Sequence, residues 1–154
     1  MPVRTIDSPE EMKSLVGQEV AVSDWMEIDQ QRINAFADVT GDHQWIHIDV
    51  DRAKAESPFK TPIAHGFLTL SMMSQFLHST IRLNLKARLG VNYGCNKVRF
   101  TGPVPAGSRI RARFNLQSFK EIEGGYENVW LVTIEVEGRE KPALVAEWIG
   151  RGYL

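Results

Sequence analysis

Gly66-Phe67-Leu68-Thr69-Leu70-Ser71-Met72-Met73-Ser74-Gln75-Phe76-Leu77 is the stretch that decides the fold. Coiled as a helix it is apolar on almost every side, so it has no broad polar face for water and belongs in an interior. The segments that follow it supply the layer that such a helix needs. Ile110, Ala112, Phe114 and Leu116 alternate with Arg109, Arg111, Arg113, Asn115 and Gln117, the period-two signature of a strand with one buried face. Gly124-Gly125 reads as a hairpin turn. Beyond it Val132, Ile134 and Val136 alternate with Thr133, Glu135 and Glu137, and after Gly138 a last apolar run extends from Ala143 to Ile149. With Lys97 to Phe100 ahead of them, these segments predict an antiparallel sheet.

Ahead of the central helix the pattern is helical. Ser8-Pro9-Glu10-Glu11 combines a capping residue, a proline at the first helical position and an acidic first turn, which predicts a short helix to Leu15 or Val16, ended by Gly17. A strand is expected near Val20 to Val22. Asp29 can cap a second helix whose Ile33, Phe36 and Ala37 share one face, and which leads to Thr40-Gly41-Asp42. A third helix starts near Asp49 and runs through Arg52-Ala53-Lys54-Ala55, until Ser57-Pro58 and Thr61-Pro62 impose an extended loop. Ile81 to Gly94 fits either loop or strand. Helices in the first half and strands in the second imply an α+β domain with a long helix packed on a sheet.

At 154 residues the protein is the size of one domain, and residues 1–154 are read as a single unit around one core. Eighteen basic against nineteen acidic residues leave a formal charge of −1, which offers no general attraction for nucleic acid or anionic lipid. The N-terminus carries no apolar stretch of signal-peptide length, and no segment approaches a membrane span. Cys95 is the single cysteine, so no intrachain disulfide forms. Cytoplasmic residence is therefore expected. Four histidines and one cysteine show no metal-ligand spacing, and a zinc site is rejected on that ground.

Two stretches carry chemistry. In Thr40-Gly41-Asp42-His43-Gln44-Trp45-Ile46-His47 a carboxylate and an imidazole lie five residues apart after a glycine. Such a pair can hold a water between them, one group removing its proton while the other supplies a proton elsewhere. The same spacing also fits a turn aspartate with a surface or capping histidine. His43 competes for the imidazole role, but it adjoins Asp42 in sequence, and His47 is preferred. The second stretch, Thr61-Pro62-Ile63-Ala64-His65-Gly66, leads into the apolar helix, where free backbone N–H groups favour a developing anion. Its glycine either permits close approach of a ligand or serves only loop conformation. Together the two stretches suggest a catalytic base and an oxyanion hole.

Other conspicuous residues have plainer readings. His78 is a cation near a helix C-terminus or a packed histidine; Trp25, Trp130 and Trp148 belong to core or interface. Arg109, Arg111 and Arg113 line a solvated strand face, from which one could meet a CoA phosphate.

Gly41-Asp42, Ile46-His47 and Ala64-His65-Gly66 resemble the hydratase-2 motif of the MaoC-like, (R)-specific enoyl-CoA hydratases. Gly-Asp-His-Gln-Trp-Ile-His, Ile-Ala-His-Gly-Phe and the run Asn92 to Phe100 are similar to the nodulation-protein-N-like branch of that family. The resemblance extends over nearly the whole sequence. It implies the hot-dog fold, a sheet wrapped around one long helix, usually as a homodimer. It further implies that Asp42 and His47 bind and activate water, and that the Gly66 N–H polarises a thioester carbonyl. The departure is Gln44-Trp45, where many hydratases have Asn-Pro, and it bears on substrate range.

The expected activity is reversible addition of water to trans-2-enoyl-CoA, giving the (R)-3-hydroxyacyl-CoA. CoA is part of the substrate, with acyl carrier protein as the alternative carrier, and no cofactor is needed. The rivals are a hot-dog thioesterase and a non-catalytic acyl-thioester-binding protein, since fold alone does not fix function.

Overall fold

The computed structural model describes residues 2–154. Its elements run in order as β1 (Arg4–Ile6), α1 (Pro9–Leu15), β2 (Glu19–Val22), β3 (Met26–Ile28), α2 (Gln30–Thr40), α3 (Trp45–Ile48), α4 (Val50–Glu56), α5 (Gly66–Ser71), α6 (Met73–Thr80), β4 (Ile81–Leu83), β5 (Leu89–Phe100), β6 (Ser108–Ile122), β7 (Gly125–Val136) and β8 (Leu144–Tyr153). The main sheet has the order β2-β6-β7-β8-β5, with β3 also on β6 and all pairings antiparallel. β1 and β4 form a small parallel pair apart from it.

The alternation in the strands translates directly into burial. Ile110, Ala112, Phe114 and Leu116 of β6 are wholly buried, as are Val132 and Ile134 of β7 and Leu144 of β8. This face receives Leu68, Met72, Met73 and Phe76 of the α5–α6 run in one hydrophobic cluster. Phe114 meets Trp130 edge-on with ring centroids 6.1 Å apart, and truncating such a side chain costs about 3–5 kcal/mol. The opposite face is ionic: Arg109 pairs with Glu137, Arg111 with Glu135, and Arg113 with both Glu135 and Glu19. Every arginine of this row has a carboxylate partner on the sheet. Trp25 lies on the same face beneath Arg111, whereas Trp130 and Trp148 are buried.

The helix signals fall where expected. Ser8 accepts from Glu11 N at 3.1 Å, Asp29 from Arg32 N at 2.8 Å and Asp49 from Arg52 N at 3.1 Å, each satisfying a donor that the first turn leaves orphaned. Gly41 closes α2 in the left-handed region with φ +82°, a conformation glycine adopts without penalty.

Four features correct the sequence reading. The central helix is not continuous: Met72 N–H bonds both Leu68 O and Thr69 O, a tightened turn that separates α5 from α6. Nor is the run buried on every side, because Phe67 is 66 % exposed. The strand expected at Lys97 begins eight residues earlier, at Leu89. It forms a sheet edge exposed along nearly its whole length, so no core face imposes a hydrophobic alternation on it. The hairpin turn is Glu123-Gly124, with Gly125 already paired in β7. Among the described residues no helix is long and apolar enough to cross a membrane.

Candidate active site

Three backbone-anchored bonds sew the two chemistry-bearing stretches together. Ile63 N–H donates to Ile46 O at 3.1 Å, the His47 ring meets Ile63 O at 2.7 Å through Nδ1, and the His65 ring meets Asp42 O at 2.9 Å through Nε2. A carbonyl oxygen only accepts, so each contacting ring nitrogen carries a proton.

His47 sits in α3, a single turn that follows Gly41 and Asp42, and is 7 % exposed. Burial is the largest influence on its imidazole and lowers its pKa, opposed by the bond to Ile63 and by Asp42, while His65 adds to the lowering. A neutral ring with Nδ1–H committed to Ile63 leaves one lone pair, on Nε2, free to take a proton. Asp42 is exposed, and its Oδ1 accepts from Gln44 N at 3.3 Å. The structure thus brings Asp42 and His47 together as the spacing suggested. His43 turns away to pair with Asp38 at 3.0 Å, which holds its pKa above the usual range, and leaves the pair to His47.

His65 is the residue that sequence reasoning passed over, although it stands in the middle of the Ala-His-Gly triplet. It is 3 % exposed and stacks on His47 with centroids 3.9 Å apart and planes 24° apart; Phe36 closes its other side at 4.9 Å. Through its bond to Asp42 O it fixes the loop that carries the carboxylate. Its Nδ1 has no hydrogen-bond partner among the described residues.

One atom each from Asp42, His47 and His65 lies within 4.8 Å of the others, a cluster that spacing in the sequence did not reveal. The stacking of the two rings works against chelation. Nearly parallel imidazoles project their in-plane lone pairs side by side, so one ion would leave the plane of at least one ring. The neutral His47 and the carboxylate are better disposed to hold a water.

Gly66 opens α5, and among the described residues its N–H has no backbone acceptor. A side chain here would meet Phe100, since a Cβ would lie 2.9 Å from Phe100 Cδ1. The glycine therefore serves close approach. A cavity of about 310 Å³ beside it is walled by Thr69, Phe100 and Val104. Asp42, which is exposed, and His47, which is buried, are not part of that wall. Exposed Phe67 and Phe100 touch edge to face at 5.7 Å.

The profile of the MaoC-like domain matches residues 11–137. The protein is 46 % identical over 150 residues to 3-hydroxyacyl-thioester dehydratase Z of Mycobacterium tuberculosis, covering 97 % of its own length and 98 % of that relative. It is 47 % identical over 140 residues to nodulation protein N of Rhizobium meliloti, covering 90 % and 87 %. Among solved structures, the (R)-hydratase from A. caviae involved in PHA biosynthesis superposes with a TM-score of 0.67 at 22 % identity, over 87 % of this protein and 98 % of that one. That likeness agrees with the hot-dog arrangement of helix on sheet.

Proposed function

We propose that this protein, which belongs to the MaoC-like domain family, is an (R)-specific hydratase that adds water reversibly to trans-2-enoyl thioesters. The observation that carries the reading is the buried, neutral His47 with one free lone pair beside the Asp42 carboxylate, with the N–H of Gly66 directly following His65, the ring stacked on His47. A relative 46 % identical is named a 3-hydroxyacyl-thioester dehydratase, the same reaction in the opposite direction.

In this reading water sits between Asp42 and His47 Nε2. His47 takes one proton as the oxygen bonds to C3 of the enoyl group. The electron pair of the double bond moves toward the thioester, whose oxygen gains enolate charge and is met by the Gly66 N–H. The imidazolium, stabilised by Asp42, then returns the proton at C2. One water is added and no redox change occurs, so the reaction needs no cofactor.

CoA is the carrier we favour over acyl carrier protein, and the cytoplasm the setting. The functional unit is a homodimer paired through the exposed edge β5, along which Leu89, Val91, Tyr93 and Phe100 are exposed, Phe100 in contact with exposed Phe67. The test is incubation with a series of trans-2-enoyl-CoAs of increasing length, following the conjugated absorbance and free thiol together. Loss of absorbance without thiol release supports hydration; stoichiometric thiol release refutes it in favour of thioester cleavage.

A further inference from the structure

Away from the Asp42–His47 pair, the inner face of the sheet has a polar interruption. Asn128 of β7 is 4 % exposed, and its carboxamide makes no hydrogen bond among the described residues, while its polar atoms keep access to the cavity beside it. Its donor and acceptor are therefore available to whatever enters that cavity, water or a ligand. It lines this cavity, of about 330 Å³, between Ser74 and Leu77 of α6 and the ends of β5, β7 and β8. The seat of Asn128 is built by its neighbour: a Cβ on Gly150 would lie 2.8 Å from Asn128 Oδ1. On the same wall Asn92 Oδ1 accepts from Trp148 Nε1 at 3.2 Å, and Trp130, which also lines the cavity, has a buried indole N–H with no acceptor among the described residues.

We infer that this cavity is a subsite for an uncharged, oxygen-bearing organic group, a ketone or hydroxyl, at the far end of the substrate's acyl group. An alkyl end would strand the Asn128 amide against hydrocarbon. A carboxylate is less well matched beside Asn128, because Arg151 is already bound to Glu127 at 2.8 Å and lies 3.7 Å over the Tyr93 ring, and the other basic side chain of the wall, His78, stands on α6. The reach is suitable. Ser74 to His78 follow Gly66 by eight to twelve residues along α5 and α6, roughly 12–18 Å at about 1.5 Å per residue, a distance on the scale of a medium-length acyl group held at Gly66. This inference rests on the hydratase reading for its source of ligand, but not for the existence of the site.

Two measurements test it. The first compares kcat/KM for two medium-length trans-2-enoyl-CoAs with the same number of carbons, one ending in methyl and one bearing a ketone next to the terminal carbon. The wild type should favour the ketone by about tenfold, the worth of one well-placed neutral hydrogen bond, and Asn128→Leu should bring the ratio to within about twofold. The second follows the indole N–H signals of Trp130 and Trp148 in the wild type by NMR, with the corresponding saturated acyl-CoAs and with free 2-octanone. Shifts produced by the keto-acyl-CoA at concentrations where the plain acyl-CoA produces none support the subsite. Equal behaviour of plain and oxygenated acyl groups in both measurements overturns it and leaves water as the partner of Asn128. Free 2-octanone acting at the same concentration as the keto-acyl-CoA overturns the acyl group as the source. Failure to hydrate any enoyl-CoA, crotonyl-CoA included, overturns the hydratase reading instead, and the indole shifts then decide the cavity by themselves.

Discussion

Replacing Gly66 isolates the backbone donor proposed for the thioester oxygen. Proline removes the N–H, and alanine retains it while adding the same Cβ. His65, the residue before it, has φ −60° and ψ 138°, the extended conformation that a following proline requires, and the first helical position tolerates proline. Both variants meet Phe100, whose Cδ1 lies 2.9 Å from the new Cβ. That ring is 48 % exposed and can move aside at a cost of about 0.5–1.5 kcal/mol for an off-rotamer side chain. Loss of glycine's backbone freedom offsets part of that, so both proteins should melt within a few degrees of wild type. The N–H itself is worth about 3–4 kcal/mol in kcat, or 10²–10³-fold. We therefore expect Gly66→Ala to hydrate crotonyl-CoA within about tenfold of wild type and Gly66→Pro to lose a further factor of about 10² or more. Kinetics are read beside thermal melts, with Phe100→Ala as a second background in which the shared clash is removed. A folded Gly66→Pro enzyme with kcat within a few-fold of Gly66→Ala, in either background, would refute the donor role.

Asp42→Asn and His47→Gln should each lower kcat at least about 10²-fold with the fold retained by circular dichroism, and the double variant should be little worse than either single one, because the two act as a unit. Chiral analysis of the crotonyl-CoA product should give the (R) alcohol, and an (S) product would contradict the stereochemical assignment. The lowered pKa of His47 makes the unfolded state the stronger proton binder below about pH 6.5. Its stabilising contribution is complete above that pH and is lost as pH falls toward the folded value. Melting curves from pH 8 to 5 should show this loss, and His47→Gln should flatten it; an unchanged slope would count against a buried neutral imidazole.

Legibility in the sequence followed the presence of a core face. Ile110, Ala112, Phe114 and Leu116 announce β6 because one side of the strand meets α6 and the other meets water. β5 has no such contrast, since Leu89, Val91 and Tyr93 are exposed alongside Gly90, Asn92 and Gly94, and its length could not be read from pattern. α3 is four residues long, too short to show a helical period. The Asp42–His47 pair was readable because both members lie in one short stretch. The role of His65 was not, because it depends on a bond spanning 23 residues. The exposure of Phe67, next to buried Leu68 and Thr69, escaped for a related reason: an apolar residue looks the same in sequence whether its own fold covers it or not.

The three bonds between residues 42–47 and 63–65 close the base of an excursion that contains α4 and the turn after it. Of α4 only Ala53 is buried, and Ser57 is the next residue whose surface is wholly covered. The excursion can therefore be treated as a replaceable module. Lengthening or exchanging its outer portion, between the anchors at Ile46 and Ile63, perturbs neither the tautomer of His47 nor the placement of Asp42, because both are determined at the seam. Loop closure costs rise only slowly with added length, so this segment, whose Phe59 lines the cavity beside Gly66, is where substrate preference can be re-engineered with the least disturbance to the proton-transfer groups.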